Sequence, residues 1–209
     1  YGLTKGQFSA TADRESKSKY GAPNAYEAID LCGLALELGC TFVARSFSAD
    51  RKQLIPILRA ALNHRGTAIV DVISPCVTFN NHAASTKSYD YGKEHEPPIL
   101  EVGYVNPWEQ PEADYAPGDA VEVPMPDGGR ILLKKLDRAY DPRDRQAATR
   151  LLSESKASNR CLTGILSVDP DAPNLTDTLA MVERPLSSLQ QDELRPSPAV
   201  LDEVMESFR

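Results

Sequence analysis

Residues 25–73 alternate between helical and extended patterns with short connections, and this alternation limits the fold more than any other feature of the sequence. Apolar residues recur at helical spacing in two stretches, and a short apolar run follows each stretch. The predicted elements are a helix over 25–38, a strand over 41–44, a helix over 50–64 and a strand over 67–73. Parallel strands need such helical crossovers, so the sequence predicts an α/β fold in which residues 1–80 are part of a doubly wound domain.

The second predicted helix contains a proline. Asp50 is a suitable N-cap, and Gly66 follows the helix as a natural end. Pro56 lies inside the apolar pattern, where it removes one backbone donor. We therefore expect the helix to kink at Pro56 or to begin later than Asp50.

The remainder of the chain, residues 81–209, has a different character. Residues 81–119 are polar and contain prolines, with little periodicity. The predicted elements after them are a hairpin of 121–123 and 130–133 around Pro-Asp-Gly-Gly, a helix over 144–156, a strand over 162–168 and an amphipathic helix from Ser197 or Pro198. We interpret residues 81–209 as an extended C-terminal arm with a hairpin and helices that packs on a partner subunit.

Charge and cysteine content exclude several classes of protein. A formal net charge of −7 argues against broad nucleic-acid binding, and no apolar run reaches membrane-spanning length. Four cysteines occur without a C-x-x-C pair, which favours the reducing cytoplasm over a disulfide framework. For Cys32, Cys40 and Cys161 the simplest interpretation is a small buried side chain.

The chain opens on a loop with the elements of an anion-binding site. Gly2 and Gly6 let backbone amides approach a ligand closely, Thr4 can donate a hydroxyl hydrogen bond, and Lys5 adds a mobile positive charge. In a doubly wound sheet, ligands bind beyond the carboxyl ends of the strands. On spacing alone, a plain surface turn with a solvated lysine is the simpler interpretation.

Cys76 lies just after the apolar strand that ends at Ile73. Ser74 and Pro75 separate them, and Pro75 restricts the turn. Such a thiol can be a metal ligand, a nucleophile or a buried inert side chain. A nucleophile needs a base, and none of the three histidines has a diagnostic spacing to Cys76.

Two strings carry a resemblance to a known family. The run Tyr-Gly-Leu-Thr-Lys-Gly-Gln at 1–7 and the run Ser-Pro-Cys-Val-Thr-Phe-Asn at 74–80 resemble the beta subunits of 2-oxoacid:ferredoxin oxidoreductases, most closely the 2-oxoglutarate type. Further similar strings lie at 41–45, 64–66, 85–89, 140–145 and 162–164. Ala10 departs from the family pattern, where proline is usual, and so do Ala83 and Ala84, where an acidic residue and glycine are common.

The resemblance implies roles for five residues. Gly2, Leu3 and Thr4 would line thiamine diphosphate, with Leu3 also near the substrate at the reactive carbon of the cofactor. Lys5 would meet the distal carboxylate of the substrate; pyruvate-specific relatives typically have Thr-Gly-Gly-Gln, without this cation. Cys76 would be the last of four ligands to a [4Fe–4S] cluster, which one cysteine cannot hold alone.

The implied protein is an enzyme subunit that acts with several partners. The resemblance implies oxidative decarboxylation of a 2-oxoacid with coenzyme A, with two electrons leaving for ferredoxin and an alpha subunit completing the site in a heterodimer. Thiamine diphosphate, Mg²⁺ and the [4Fe–4S] cluster are the implied cofactors. The magnesium ligands and three cluster cysteines of the family precede the run at 1–7, so we expect this chain to be a fragment that is inactive alone. A non-catalytic assembly module that binds the alpha subunit, and a pyruvate or broad 2-oxoacid enzyme, remain as alternatives.

Overall fold

The structure is a computed structural model of the chain. It describes residues 7–16, 23–74, 88–95, 98–105, 107–108, 120–124, 128–136, 139–158 and 160–208. The opening loop at 1–6 and Cys76 lie outside these ranges.

Helices and strands alternate in the described part. The helices are α1 (Leu31–Glu37), α2 (Arg51–Asn63), α3 (Tyr89–His95), α4 (Arg145–Ala157), α5 (Leu175–Thr178) and α6 (Pro198–Glu206). The strands are β1 (Phe42–Phe47), β2 (Ala68–Ile73), β3 (Leu100–Val105), β4 (Ala120–Pro124), β5 (Arg130–Lys135) and β6 (Gly164–Val168).

The first sheet has the strand order β2-β1-β6. Strands β1 and β2 are parallel, with Phe42 paired to Ala68 and Phe47 to Ile73. The α/β fold predicted from the alternation of helices and strands is therefore confirmed. Strand β6 joins the other side of β1 in the antiparallel direction, a pairing that the sequence pattern did not predict.

Helices cover both faces of this sheet. Successive residues of β1 point to opposite faces, so Arg45 and Ser46 lie on different sides. Arg45 pairs with Asp30 at the start of α1, whereas the hydroxyl of Ser46 donates to Oε1 of Gln53 on α2 across 2.9 Å. The two helices thus lie on opposite faces, as in a doubly wound arrangement.

Helix α1 begins later than its apolar pattern indicates. The prediction placed its start near Ala25, but the helix starts at Leu31 because Asp30 takes the N-cap position. The Asp30 carboxylate accepts from the backbone amides of Cys32 and Gly33 at 3.0 and 3.3 Å. Upstream, the Asn24 side chain donates to the carbonyls of three residues and so stabilises a non-helical turn.

Helix α2 begins at Arg51, directly after its predicted N-cap. Oδ1 of Asp50 accepts from the amide of Gln53 at 3.2 Å. The helix starts directly after Asp50 and includes Pro56, so the later start is wrong, whereas the alternative of a kink at Pro56 stays a prediction. The favourable cap and the burial of Ile57 and Ala60 offset the single hydrogen bond that proline removes.

The second sheet is antiparallel, with the order β3-β5-β4. Strands β4 and β5 pair antiparallel around the Gly-Gly signal, as the hairpin prediction requires, and Gly128 has a positive φ of 83°. Helix α3 and strand β3 lie in a stretch of the sequence that is polar with little periodicity and for which no element was predicted. Strand β3 forms there because Leu100 and Val102 are buried.

Two compact units make up the chain, Tyr1–Asn174 and Leu175–Arg209. Strand β6 of the first unit pairs with β1, so residues beyond 80 complete the first sheet. The assignment of residues 1–80 to the cofactor-binding domain and 81–209 to a subunit-packing arm stays a prediction. Across the described ranges, no helix combines the length and apolar character that a membrane crossing requires.

Candidate functional site

The predicted ligand-binding edge is formed by the carboxyl ends of β1 and β2. These ends are joined where the amide of Ser48 donates to the carbonyl of Ile73 across 2.9 Å. Cys76 follows Ile73 by three positions in the sequence, so it comes after this edge along the chain. The remaining predicted site residues are Gly2, Leu3, Thr4 and Lys5. All five residues lie outside the described ranges, and their roles stay predictions.

Arg45 of β1 forms buried ion pairs with two carboxylates, those of Asp30 and Asp71. Its Nε donates to Oδ2 of Asp71 at 2.8 Å, and its Nη2 donates to Oδ1 of Asp30 at 2.5 Å. The Arg45 side chain is 8% exposed, while those of Asp30 and Asp71 are 26% and 18% exposed. A charge this deeply buried needs partners of opposite charge. We therefore interpret the contacts of Arg45 with Asp30 and Asp71 as structural ion pairs.

Asp30 links the ion pair to the start of α1. One carboxylate oxygen, Oδ1, serves both Arg45 and the amides at the helix start. Negative charge is favourable at a helix N-terminus, so the pairing and the cap reinforce each other. The helix start, β1 and β2 are thus held together by one cation and two carboxylates.

Cys32 lies beside this ion pair and is fully buried. Its thiol donates to the carbonyl of Ala44 at 3.7 Å. Burial raises the pKa of Cys32 to about 12, and the neighbouring Asp71 and Asp30 add to the rise, whereas Arg45 opposes it. The thiol is therefore neutral at physiological pH, and the prediction of a small buried side chain holds for this cysteine.

Cys32 and Cys40 both lie away from the carboxyl edge of the first sheet. Cys32 is sealed in the core, and Cys40 precedes the amino end of β1. Six strand residues span roughly 20 Å, which separates Cys40 from the carboxyl edge that Cys76 follows. Within the described ranges, no group of three or more metal-ligating side chains occurs.

The amino edge of the sheet holds a separate polar contact. Oγ1 of Thr41 lies 2.7 Å from Nε2 of His64, and the His64 ring packs against Phe42 with centroids 5.5 Å apart. Burial lowers the pKa of His64, although Asp169 acts in the opposite direction. The absence of a side chain at Gly66 makes room for this contact.

A cleft of about 310 Å³ opens beside this contact, lined by Cys40, Thr41, Arg143, Arg145, Ser167, Val168, Asp169, Pro170 and Asp171. It lies at the amino end of β1, whereas ligands of doubly wound sheets bind at the carboxyl ends. Its lining carries both signs of charge. The cleft therefore lies away from the edge at which the fold is expected to bind a cofactor.

The burial of Arg45 and its two carboxylate partners were not predicted from the sequence. The available signal was Asp71, a single charge in the otherwise apolar strand Ala-Ile-Val-Asp-Val-Ile. A partly buried acid needs a nearby cation, and Arg45 occupies the paired position on β1.

Known proteins resemble the first part of this chain most clearly. Residues 1–72 match the family described as thiamine pyrophosphate enzyme, C-terminal TPP binding domain. The beta subunit of 2-oxoacid:ferredoxin oxidoreductase 1 from Aeropyrum pernix is 49% identical over 82 residues, which are 39% of this chain and 26% of that subunit. The resemblance to these beta subunits is confirmed. The 2-oxoglutarate oxidoreductase subunit KorB from Mycobacterium tuberculosis is 39% identical over 82 residues, 39% of this chain and 22% of that subunit.

A solved structure is similar to a larger part of this chain than the sequence matches cover. The 2-oxoglutarate:ferredoxin oxidoreductase from Magnetococcus marinus, solved with 2-oxoglutarate, coenzyme A and succinyl-CoA bound, aligns with a TM-score of 0.57 and 26% identity. The alignment covers 86% of this chain and 47% of that one. The chain thus spans about half of the solved chain and about a quarter of its curated relatives.

Proposed function

We propose that this chain is part of the beta subunit of a thiamine-diphosphate-dependent 2-oxoacid:ferredoxin oxidoreductase that acts on 2-oxoglutarate. The proposal rests chiefly on the family match over residues 1–72, which includes the whole Tyr-Gly-Leu-Thr-Lys-Gly-Gln run. The reaction would convert the 2-oxoacid and coenzyme A to the acyl-CoA and carbon dioxide, with two electrons passing to ferredoxin. An alpha subunit would complete the site.

The first residues of the chain would bind the cofactor and the substrate. Thiamine diphosphate supplies a nucleophilic carbon and an electron sink. Backbone amides of Gly2 and Leu3 and the hydroxyl of Thr4 suit an anionic cofactor that also binds Mg²⁺. Lys5 would place the distal carboxylate of 2-oxoglutarate through a charge-assisted hydrogen bond.

Cys76 would supply one thiolate to a [4Fe–4S] cluster. Its position after β2 favours this role, because the carboxyl ends of parallel strands face the ligand side of such a sheet. The other three thiolates would come from residues of the complete subunit that are not among Cys32 and Cys40. A reducing cytoplasm is part of the proposal, and the support for it is that the four cysteines occur without a C-x-x-C pair.

The substrate assignment is tested by Lys5→Gln in the complete enzyme with its alpha subunit. Losing one charge-assisted hydrogen bond of about 1.5–3 kcal/mol lowers kcat/KM for 2-oxoglutarate by about 10- to 100-fold. Activity on pyruvate, which has no distal carboxylate, should change little. Lys156→Gln, on the exposed side of α4, removes the same charge and serves as the control. Equal losses on both substrates would show that Lys5 does not recognise the distal carboxylate.

The cluster assignment is tested by Cys76→Ser in the same complex. We expect loss of the visible iron–sulfur absorption, a lower iron content and no ferredoxin reduction, while binding of thiamine diphosphate is kept. Cys40→Ser is the matched control, since this partly buried thiol precedes β1 at the opposite edge. An unchanged spectrum in Cys76→Ser would refute a ligand role for this cysteine.

A further inference from the structure

The cleft at the amino edge of the first sheet lies entirely within the first compact unit. It forms where the end of β6 meets the segment that leads into α4, and there the amide of Val168 donates to the carbonyl of Pro142 across 2.9 Å. The amide of Asp169 donates to the carbonyl of Thr41 across 2.8 Å. These backbone hydrogen bonds fix the segments around the cleft relative to one another. Its volume of about 310 Å³ is at the lower limit of small-molecule sites, so a ligand of this cleft is small.

Side chains of opposite charge line the cleft from two different segments. Arg143 and Arg145 lie at the start of α4, whereas Asp169 and Asp171 lie in the turn after β6. Among the described residues, no ion pair joins these two arginines to these two aspartates. Opposite charges that line one cleft without pairing favour a ligand that carries both charges.

One side chain of each sign is held in place by the backbone. Nη2 of Arg143 donates to the carbonyl of Glu122 at 3.1 Å, and Oδ1 of Asp169 accepts from the amide of Asp171 at 3.1 Å. Both side chains keep further hydrogen-bonding atoms, since a guanidinium donates and a carboxylate accepts several hydrogen bonds. Side chains that are already ordered lose less conformational entropy when a ligand binds.

Ser167 is a buried polar residue of the same lining. The residue is 6% exposed, and its hydroxyl forms no hydrogen bond with the part of the chain that the structure describes. Buried hydroxyls are nearly always hydrogen-bonded, because leaving such a group without a partner costs free energy. The hydroxyl of Ser167 is therefore available to a ligand atom that accepts a hydrogen bond.

We propose that this cleft binds an α-amino acid with a short apolar side chain. Its carboxylate would accept hydrogen bonds from Arg145 and from the hydroxyl of Ser167, and its ammonium group would donate to Asp169. The apolar part of the lining, Val168 and Pro170, suits the short side chain. The proposal does not depend on the proposed activity.

Isothermal titration calorimetry of the complete subunit with L-valine tests the ligand class. Isovalerate lacks the ammonium group of valine and isobutylamine lacks its carboxylate, so each should bind about tenfold more weakly or not at all. Equal binding of isovalerate and L-valine would overturn the proposal, because a simple anion would then suffice. Absence of L-valine binding at millimolar concentration would overturn it as well.

Matched variants of the complete subunit locate the binding site. Arg145→Gln should raise the dissociation constant of L-valine about tenfold through loss of a charge-assisted hydrogen bond. Arg150→Gln is the control, since this exposed arginine of α4 pairs with Asp144 and lies outside the cleft; it should change the constant less than about twofold. Equal effects of the two variants would overturn the proposal.

Ser167→Ala separates binding from folding. The Tm should stay unchanged, because the hydroxyl has no protein partner to lose, while the dissociation constant of L-valine should rise about tenfold. An unchanged dissociation constant would exclude the hydroxyl from the site and overturn the proposed binding mode. Failure of the Lys5 and Cys76 tests would leave all these binding measurements unchanged.

Discussion

Arg45 and Asp71 occupy directly paired positions on β1 and β2, and Nε of Arg45 donates to Oδ2 of Asp71 across 2.8 Å. Asp30 contacts the same guanidinium from the start of α1. One buried cation therefore connects two strands and a helix that are distant in sequence.

Asp71→Asn should destabilise the fold. The change leaves the Arg45 charge buried with one carboxylate instead of two, so we expect the free energy of unfolding to fall by about 2–3 kcal/mol. Urea denaturation followed by circular dichroism measures it. Glu122→Gln, which breaks an exposed pair with Arg130, is the control and should cost less than about 1 kcal/mol. Equal losses in the free energy of unfolding for Asp71→Asn and Glu122→Gln would show that burial does not increase the contribution of the Arg45–Asp71 pair to stability.

Gly66→Ala should destabilise the fold more than the addition of one methyl group usually does. An added Cβ would overlap Oγ1 of Thr41 and lie 3.0 Å from Cβ of Ala172. Overpacking of this kind costs about 1–3 kcal/mol. Thermal unfolding measures the loss, and Thr41→Ala in the same background should recover part of it. Gly33→Ala is the control. At Gly33 the nearest atom to an added Cβ lies at 3.6 Å, so this change should be neutral or stabilising. A Gly66→Ala protein with unchanged stability would contradict the close contact with Thr41.

His64 should make the stability depend on pH. Burial lowers its folded-state pKa below the ordinary value of 6.5, so the unfolded chain binds the proton more strongly. Stability is then full above pH 6.5 and is lost as pH falls from there through the folded-state pKa. Urea denaturation between pH 5.5 and 7.5 should show this decline, and His64→Gln should flatten it. Parallel pH profiles for the two proteins would exclude a contribution from His64.

Cys32 should resist alkylation in the folded protein. The thiol is buried and its pKa is raised to about 12, so both access and the thiolate fraction are low at pH 8. Peptide mapping after iodoacetamide treatment should show Cys40 modified and Cys32 unmodified until urea is added. Rapid labelling of Cys32 without denaturant would indicate that α1 opens readily from the sheet.

Local signals explain which elements were predicted from the sequence. Asp50, Asp144 and Ser197 each accept a hydrogen bond from a backbone amide at a helix start, as their residue types favour. The Gly-Gly turn likewise predicted the β4–β5 hairpin. Capping and turn formation involve residues within a few positions of each other, so the sequence shows them directly.

Long-range contacts explain the elements that were not predicted. The start of α1 moved to Leu31 because Asp30 binds both the helix amides and Arg45. Strand β3 was not predicted because it lies in a polar stretch of the sequence. Burial of Leu100 and Val102 against other elements stabilises it. Neither the cap at Asp30 nor the burial of β3 produces a periodic pattern of apolar residues in the sequence.

The sequence by itself determined the parallel α/β core and the resemblance to the oxidoreductase beta subunits, because helix spacing, caps and short motifs are properties of neighbouring residues. Only the tertiary structure decided that β6 joins β1 in the antiparallel direction and that Arg45 is buried between two carboxylates. These features depend on which distant segments meet, and that is set by the combined burial and pairing of the whole chain.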